Sequence, residues 1–330
     1  MCKLAIITKI SPVTQKRAWQ FAKAIRPFMT AYDNDGFGYM GLGDKGLFGE
    51  RWLYPNQAFQ LPNTLGKGYD SLLSEYRGVI EPIIKHSGFG VKSDNVSCLA
   101  LHARMATSDK GLINTHPFVT SSGNTALIHN GVIHLPDKAL MPTSTCDSEA
   151  ILTLYDQAEV RDNLRRIDNV VDNLDGYYAC AVITRSTQGA WYLDIIKDNS
   201  AQLFAVYVKP LKCLVFCTSP EHVYAACKKL HWQYEHAYRV KDNTITRLNA
   251  ETGHVIEALA FDPYVDKYEK LDYSKGWSKE YPDYSTKSDH INITDLREGT
   301  TPDDGPEEDI DEDYVDLVDV TEAMVRGRYE

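Results

Sequence analysis

The hydrophobic and polar positions of this chain fall into short blocks that predict alternating strands and helices. The first block, Lys3 to Thr8, indicates a buried strand, and apolar residues at helical spacing then predict a helix over about 13–29, which Pro27 bends or ends early. Two later runs, Ser97 to Arg104 and Thr125 to His129, predict buried strands that end in polar clusters. Because active-site groups commonly lie where strands end, these clusters are the first places to look for a site.

The second half of the chain continues the alternation. Asp147 to Gln157 and Leu164 to Leu174 have helical patterns, and a further helix is predicted from about Pro220 to Leu230. Four strand candidates are joined by turns too short for crossover helices, which predicts antiparallel pairing: Tyr177 to Thr184, Trp191 to Lys197, Leu203 to Val208 and Cys213 to Thr218. Strands around Tyr238, Ile245 and Val255 complete a pattern typical of an α+β domain with two antiparallel sheets covered by helices, over residues 2–261.

Residues 262–330 form a distinct C-terminal extension. From Thr301 to Val320 there are ten carboxylates and no Lys or Arg, which accounts for nearly all of the net charge of −11. We expect this extension to be partly disordered or to dock a partner. Apolar residues near its end predict a short docking helix or strand: Val315, Leu317, Val318, Val320 and Met324.

Composition excludes several classes of function. The chain has 330 residues, 43% of them hydrophobic, which is enough for a substantial core. Its acidic net charge argues against a protein whose main task is to bind nucleic acid. No apolar stretch approaches the roughly 20 residues that span a bilayer, so no membrane association and a cytoplasmic location are expected. Seven cysteines without a close pair predict reduced thiols, four of them core residues: Cys98, Cys180, Cys213 and Cys217. The spacing of the histidines does not fit a metal site and we find no phosphate-binding loop, so we expect neither a metal nor a cofactor.

Cys2 carries the most specific chemistry. Removal of Met1 makes this cysteine the N-terminus, and an α-amine titrates near pH 7.7 to 8.0, so one residue then holds both a nucleophile and its general base. The alternative is that cysteine at position two is merely a small residue that allows methionine removal.

Three downstream clusters accompany Cys2 in a defined order. They are Leu101-His102-Ala103-Arg104-Met105-Ala106-Thr107 followed by Asn114-Thr115-His116-Pro117-Phe118, then His129-Asn130-Gly131, then Thr145-Cys146-Asp147-Ser148-Glu149. Together with Cys2 they resemble the glutaminase domain of class II glutamine amidotransferases, which are N-terminal nucleophile (Ntn) hydrolases. The resemblance covers residues 2 to 261 and implies a four-layer αββα sandwich of two antiparallel sheets.

The Asn130-Gly131 pair fits the need for an oxyanion hole. Attack of a thiolate on a carboxamide creates an oxyanion, which requires hydrogen-bond donors already aimed at it. The side-chain amide of Asn130 and the backbone N–H of Gly131 supply two, and the resemblance implies this role. A tight hairpin turn is the alternative interpretation of Asn-Gly.

Recognition of free glutamine requires a fixed cation and a fixed anion. Arg104 suits the α-carboxylate and Asp147 the α-ammonium, as the resemblance also implies. The alternatives are a surface arginine and an ordinary helix-capping aspartate. The resemblance further places Thr107 and His116 at the glutamine pocket, although both positions are also explained by ordinary structure.

The predicted function is hydrolysis of L-glutamine to glutamate and ammonia through a thioester on Cys2. The extension after residue 261 is too short for a synthetase, so a separately encoded ATP-dependent ligase or synthetase is the expected partner that receives the ammonia. Two alternatives stay open: an Ntn-type hydrolase of another amide, and a non-catalytic glutamine-binding scaffold.

Overall fold

The computed structural model describes residues 2–31, 35–44, 46–53, 77–79, 95–106, 111–134, 137–262 and 314–315. Three predictions fall outside these residues: a long loop from Tyr54 to Tyr69, which is indicated by its Pro, Asn and Gly content, the candidate Thr107, and most of the acidic extension. The described part holds fifteen strands: β1 Lys3–Ile7, β2 Gly36–Gly43, β3 Gly46–Trp52, β4 Arg77–Val79, β5 Val96–Arg104, β6 Phe118–Val119, β7 Thr125–Ile133, β8 Gly176–Arg185, β9 Trp191–Lys197, β10 Phe204–Val208, β11 Cys213–Cys217, β12 Tyr238–Val240, β13 Thr244–Asn249, β14 Val255–Ala260 and β15 Tyr314–Val315.

These strands form two sheets. The nine-stranded sheet has the order β15-β12-β10-β11-β1-β5-β2-β3-β4, and the six-stranded sheet has the order β14-β13-β9-β8-β7-β6. All neighbours are antiparallel except β12 and β15, which pair in parallel. The four strands predicted in succession are antiparallel as expected, but they do not share one sheet, because β8 and β9 lie in the six-stranded sheet and β10 and β11 in the other.

Helices cover the outer faces of both sheets. Helix α1 (Gln15–Met29) and helix α4 (Pro220–Leu230) pack against strands of the nine-stranded sheet, whereas α2 (Ser148–Gln157) and the short α3 (Asp168–Val171) lie on the six-stranded sheet. A large apolar core fills the space between the sheets and under α1 and α4, and a second core lies under α2 and α3. The predicted α+β class and four-layer αββα arrangement are therefore confirmed.

The position of β1 explains why Cys2 is held in place. Strand β1 lies in the interior of its sheet, with Ala5 opposite Leu101 of β5 on one side and Cys217 of β11 on the other. Leu4 to Ile7 are buried, as the apolar block predicts. At the start of the strand, the Leu4 N–H donates to Thr218 Oγ1 at 3.1 Å. Cys2 thus stands at the end of a strand anchored on both edges.

Two local predictions need correction. Pro27 lies inside α1, which continues to Met29 rather than ending early. The run at Thr125 does not end at His129, because β7 continues to Ile133 and pairs with β8 along its whole length. The His129-Asn130-Gly131 cluster therefore lies within a strand, and the hairpin-turn interpretation of Asn-Gly is wrong.

The chain divides into two compact units, Met1–Val265 with Asp313–Glu330, and Asp266–Glu312. All elements named above belong to the first unit, and the second lies outside the described residues. The domain boundary at 261 stays a prediction. Among the described residues, no helix is long and apolar enough to cross a membrane.

Candidate active site

One cavity of about 220 Å³ opens where β1, β5 and β7 approach the start of α2. Five of the seven residues predicted for the site line it: Cys2, Arg104, His116, Gly131 and Asp147. Asn130 is the neighbour of Gly131 and is not part of the lining, and Thr107 lies outside the described residues. Six further residues complete the wall: Met105, His129, Val132, Cys146, Ser148 and Tyr177.

The Cys2 thiol is half-buried at this cavity. The Met105 N–H donates to its sulfur at 3.3 Å, and the thiol donates to the Met105 carbonyl oxygen at 3.4 Å. The backbone of Met105 therefore holds the sulfur through both its N–H and its carbonyl oxygen. The residue after β5 thus orients the group that the sequence identified as the nucleophile.

Two opposite charges face the cavity. Arg104, the last residue of β5, is only 3% exposed, so the interpretation of this residue as a surface arginine is wrong. Asp147 directly precedes α2, but its side chain makes no capping hydrogen bond. Its Oδ2 instead accepts the Ile133 N–H at 2.7 Å, so the end of β7 fixes the carboxylate. The cavity therefore offers a fixed cation and a fixed anion.

Gly131 adopts a backbone conformation that requires glycine. Its φ is +153°, and a Cβ built there meets the Tyr177 carbonyl oxygen at 1.9 Å and His129 Nε2 at 2.6 Å. The adjoining Asn130 is 2% exposed, and its Oδ1 finds no hydrogen-bond partner among the described residues. A buried amide oxygen without a partner is costly, so this asparagine is not explained by packing alone.

The segment that carries His116 lies tightly against β2 and β3. A Cβ on Gly38 meets the His116 carbonyl oxygen at 2.0 Å, which explains glycine at that position of the strand. From β3, Arg51 Nη1 donates to the Thr115 carbonyl oxygen at 3.0 Å and to that of Ile113 at 3.3 Å. These contacts hold His116, which is 2% exposed, in the cavity wall.

Three histidines cluster behind and beside the cavity. The ring centroids of His102 and His116 are 3.9 Å apart, and those of His116 and His129 are 6.4 Å apart. Burial lowers the pKa of His102 to about 3 and the pKa of His116 well below its usual value. Burial also lowers the pKa of His129, against the opposing charge of Asp147. At neutral pH the cluster is therefore uncharged, and Arg104 is the cation that faces the cavity.

Tyr177 and Cys146 are two of the six lining residues that the sequence did not predict for the site. The sequence indicated only that Tyr177, which follows Asp175-Gly176, begins a strand. In the structure, the pKa of Tyr177 is raised by burial and then by Cys2 and Asp147. Cys146 directly precedes the predicted Asp147, and burial raises the pKa of its thiol to about 11. The sequence signal for Cys146 was its place beside Asp147 in the cluster Thr145-Cys146-Asp147-Ser148-Glu149. No comparable signal marked Tyr177, because its contact with Gly131 comes from strand pairing.

Within the described residues, no three His, Cys, Asp or Glu side chains are arranged to hold a metal ion. The expectation of a site without metal or cofactor stays a prediction.

Comparison with known proteins gave the following results. No family profile matches the chain. Over 157 residues it is 29% identical to a glutamine–fructose-6-phosphate aminotransferase (isomerizing) of Chlamydia trachomatis serovar D, a match that covers 42% of this chain and 26% of the relative. Among solved structures, a glutamine phosphoribosylpyrophosphate amidotransferase from B. subtilis aligns with a TM-score of 0.47 at 14% identity, covering 79% of this chain and 49% of that one.

A second solved structure, described as the allosteric regulatory enzyme of purine biosynthesis, aligns with a TM-score of 0.46 at 15% identity. It covers 76% of this chain and 48% of that one. The matched region thus spans 26% of the curated relative and at most 49% of these two structures.

Proposed function

We propose that this chain is a class II glutamine amidotransferase domain, which hydrolyses L-glutamine to glutamate and ammonia through a thioester on Cys2. The observation that carries the proposal is the meeting of Cys2, Arg104, Asp147 and Gly131 around one cavity. The similarity in sequence to a relative named as a glutamine–fructose-6-phosphate aminotransferase supports the same class.

In the proposed reaction, loss of Met1 frees the α-amine of Cys2 as the general base. The amine takes the thiol proton, and the sulfur bonds to the γ-carboxamide carbon of glutamine. The carboxamide oxygen becomes an oxyanion, which the Gly131 N–H and the Asn130 side-chain amide stabilise. The amine then returns the proton to the nitrogen as the C–N bond breaks, so that ammonia leaves and a γ-glutamyl thioester remains.

Hydrolysis of the thioester completes the cycle. The α-amine takes a proton from water, and the resulting hydroxide attacks the thioester carbon. As the C–S bond breaks, the protonated amine returns the proton to the sulfur, which restores the thiol and releases glutamate. The same two oxyanion donors serve both steps, because the charge develops on the same oxygen each time.

Substrate selection in this proposal depends on the two opposite charges. The buried guanidinium of Arg104 binds the α-carboxylate, and the carboxylate of Asp147 binds the α-ammonium. His116 forms part of the pocket wall, and Thr107 remains a proposed pocket residue. An amide that lacks an α-amino acid end leaves both charges uncompensated, which disfavours hydrolysis of other amides.

The proposal extends to a separate ATP-dependent synthetase or ligase that receives the ammonia. Co-purification of the full chain from its own cell extract, with added glutamine, tests this extension. Recovery of an ATP-dependent enzyme that produces an amidated product only when both proteins are present supports it, and activity of that enzyme at the same rate without this chain contradicts it.

Release of glutamate from L-glutamine by the purified protein tests the main proposal. Cys2→Ala, which keeps a small second residue and so still allows methionine removal, is expected to abolish release. The matched control is Cys227→Ala, because Cys227 is a buried thiol of α4 distant in sequence from every cluster. Unchanged turnover in Cys2→Ala contradicts the proposal.

A further inference from the structure

The carboxylate of Asp147 belongs to a short segment, residues 143–147, that is held from two sides. This segment has no helix or strand of its own before α2 begins at Ser148. Its conformation therefore depends on side chains that form hydrogen bonds with its backbone. Two such side chains are Glu149, from the first turn of α2, and Asn114, from a distant part of the chain.

Glu149 binds the start of the segment. Its carboxylate accepts the Ser144 N–H at 2.8 Å, the Thr143 N–H at 3.1 Å and the hydroxyl groups of both residues. Glu149 is 6% exposed, so these bonds compensate a largely buried charge. They fix Thr143 and Ser144, but they do not reach Thr145.

Asn114 binds Thr145 at two points. The Asn114 side-chain NH₂ donates to Thr145 Oγ1 at 2.9 Å, and its Oδ1 accepts the Thr145 N–H at 3.0 Å. Asn114 is fully buried, whereas Thr145 is exposed, so the orienting partner in this pair is the asparagine. A planar amide that bonds both the backbone and the side chain of one residue fixes its orientation as well as its position.

The backbone of Asn114 is itself held at the site. Asn114 ends a 3-10 turn, Leu112–Asn114, and Arg51 binds the carbonyl oxygens on both sides of it, those of Ile113 and Thr115. The next residue after Thr115 is His116 in the cavity wall. Asn114 therefore connects the wall that carries His116 to the segment that carries Asp147, two residues after Thr145.

We propose that Asn114 is a positioning residue for substrate selection: through Thr145 it holds the backbone that leads to Asp147, so that this residue presents to an α-ammonium group the carboxylate that the Ile133 N–H binds at 2.7 Å. This inference rests on the proposed function. Asn114 does not line the cavity, and its effect on glutamine passes through Asp147.

The test compares glutamine with glutaramate, which is glutamine without its α-amino group. In Asn114→Ala, the KM for glutamine is expected to rise about tenfold, the size of one good hydrogen bond, with kcat nearly unchanged. The inhibition constant of glutaramate against glutamine is expected to stay the same, because glutaramate makes no bond to Asp147. Thr145→Val, which keeps the backbone N–H, is expected to show a smaller rise in the KM for glutamine.

Two controls separate positioning from general damage. Asn249→Ala removes an asparagine whose Oδ1 also accepts two backbone N–H groups, at the turn between β13 and β14, and it should leave both constants unchanged. In an Asp147→Ala background, Asn114→Ala should add no further rise in KM, since the group it positions is absent.

The outcomes distinguish the two proposals. If the unaltered protein releases no glutamate from glutamine, the proposed function is wrong. If it does, and Asn114→Ala or Thr145→Val raises the glutamine KM and the glutaramate inhibition constant equally, or lowers kcat alone, only the positioning role of Asn114 is overturned. Additive losses in the double variant with Asp147→Ala overturn it as well.

Discussion

At the scale of single residues, Arg104 and Asp147 show how burial turns ordinary side chains into a recognition site. An exposed arginine or a capping aspartate has a simple structural explanation, and both explanations were open from the sequence. In the structure, Arg104 is buried and Asp147 bonds the Ile133 N–H rather than the end of its helix. Both charges then face the cavity that Cys2 lines.

Arg104→Lys tests the recognition of the α-carboxylate. A guanidinium binds a carboxylate through two parallel N–H bonds, whereas an ammonium is a point charge on a flexible stem. We expect the KM for glutamine to rise by about tenfold, the equivalent of one lost charge-assisted bond, with a smaller change in kcat. Steady-state kinetics of glutamate release measure both.

The control for this substitution is Arg165→Lys, which makes the same change at an exposed arginine. A normal KM in Arg104→Lys, or an equal rise in the control, contradicts the assignment of Arg104.

The residues of the site were unequally predictable. The sequence predicted Cys2, Arg104, His116 and Asp147, which all line the cavity, because the order and spacing of short motifs can be seen in the linear sequence. Tyr177 was not predicted, since it reaches Gly131 only through the pairing of β7 with β8. The hydrogen bonds between Asn114 and Thr145 join residues that are 31 positions apart, and nothing in the sequence around either residue indicates its partner.

At the scale of elements, β7 is the part of the fold that the site depends on most. It passes from the apolar core through His129, Asn130 and Gly131 before it ends at Ile133. The chain there lines the cavity while it pairs with β8, and Gly131 makes this possible because a Cβ has no room.

Gly131→Ala tests this account of β7. The new Cβ meets the Tyr177 carbonyl oxygen at 1.9 Å, so β7 and β8 must separate, and both glutamate release and the free energy of unfolding are expected to fall. Gly189→Ala is the control, because Gly189 also has a positive φ, +92°, but its added Cβ meets nothing closer than an Arg185 side-chain atom at 3.7 Å.

The two glycine variants are compared by chemical denaturation. We expect Gly189→Ala to cost about 1 kcal/mol through backbone strain alone, and Gly131→Ala to cost clearly more. Equal losses of stability together with normal activity in Gly131→Ala contradict the account.

Element boundaries were predictable where hydrophobic periodicity was strong. Helix α4 runs over the predicted residues, and α1 begins two residues later than predicted. The segment Leu164 to Leu174 buries the predicted apolar stripe but forms a 3-10 turn, Leu164–Ile167, followed by the short α3. Spacing of three residues suits both kinds of helix, so the pattern alone could not separate them.

At the scale of the whole molecule, the site lies at one end of a sandwich whose interior contains uncharged histidines. The sequence predicted two antiparallel sheets, because short turns force antiparallel pairing. It could not show that β8 and β9 belong to one sheet and β10 and β11 to the other. That division depends on which strands meet in space, and β1 pairs with β11 although more than 200 residues separate them.

The buried histidines predict a loss of stability in mild acid. The pKa of His102 is lowered to about 3, first by burial and then by His129. In the unfolded chain a histidine takes up a proton below about pH 6.5. Between these values the unfolded state binds more protons, so the free energy of unfolding decreases as the pH falls, by about 1.4 kcal/mol per pH unit for each such histidine.

Urea unfolding between pH 7 and pH 5.5 measures this dependence, in a range where most carboxylates stay ionised. Because the unfolded imidazole is only partly protonated over this range, His102→Gln should reduce the average slope by about 0.8 kcal/mol per pH unit, whatever its effect on stability at pH 7. His254→Gln, at an exposed position, controls for the chemical change itself. An unchanged slope in His102→Gln contradicts the assignment of a neutral buried imidazole.

The most direct test of the central claim is mass spectrometry of the N-terminal peptide from protein quenched in acid during turnover of L-glutamine. We predict that Met1 is absent and that a fraction of the Cys2 peptide carries the added mass of one glutamyl group, which disappears when the glutamine is exhausted. Retention of Met1 in active protein, or a glutamyl adduct on Cys146 instead of Cys2, would contradict the account.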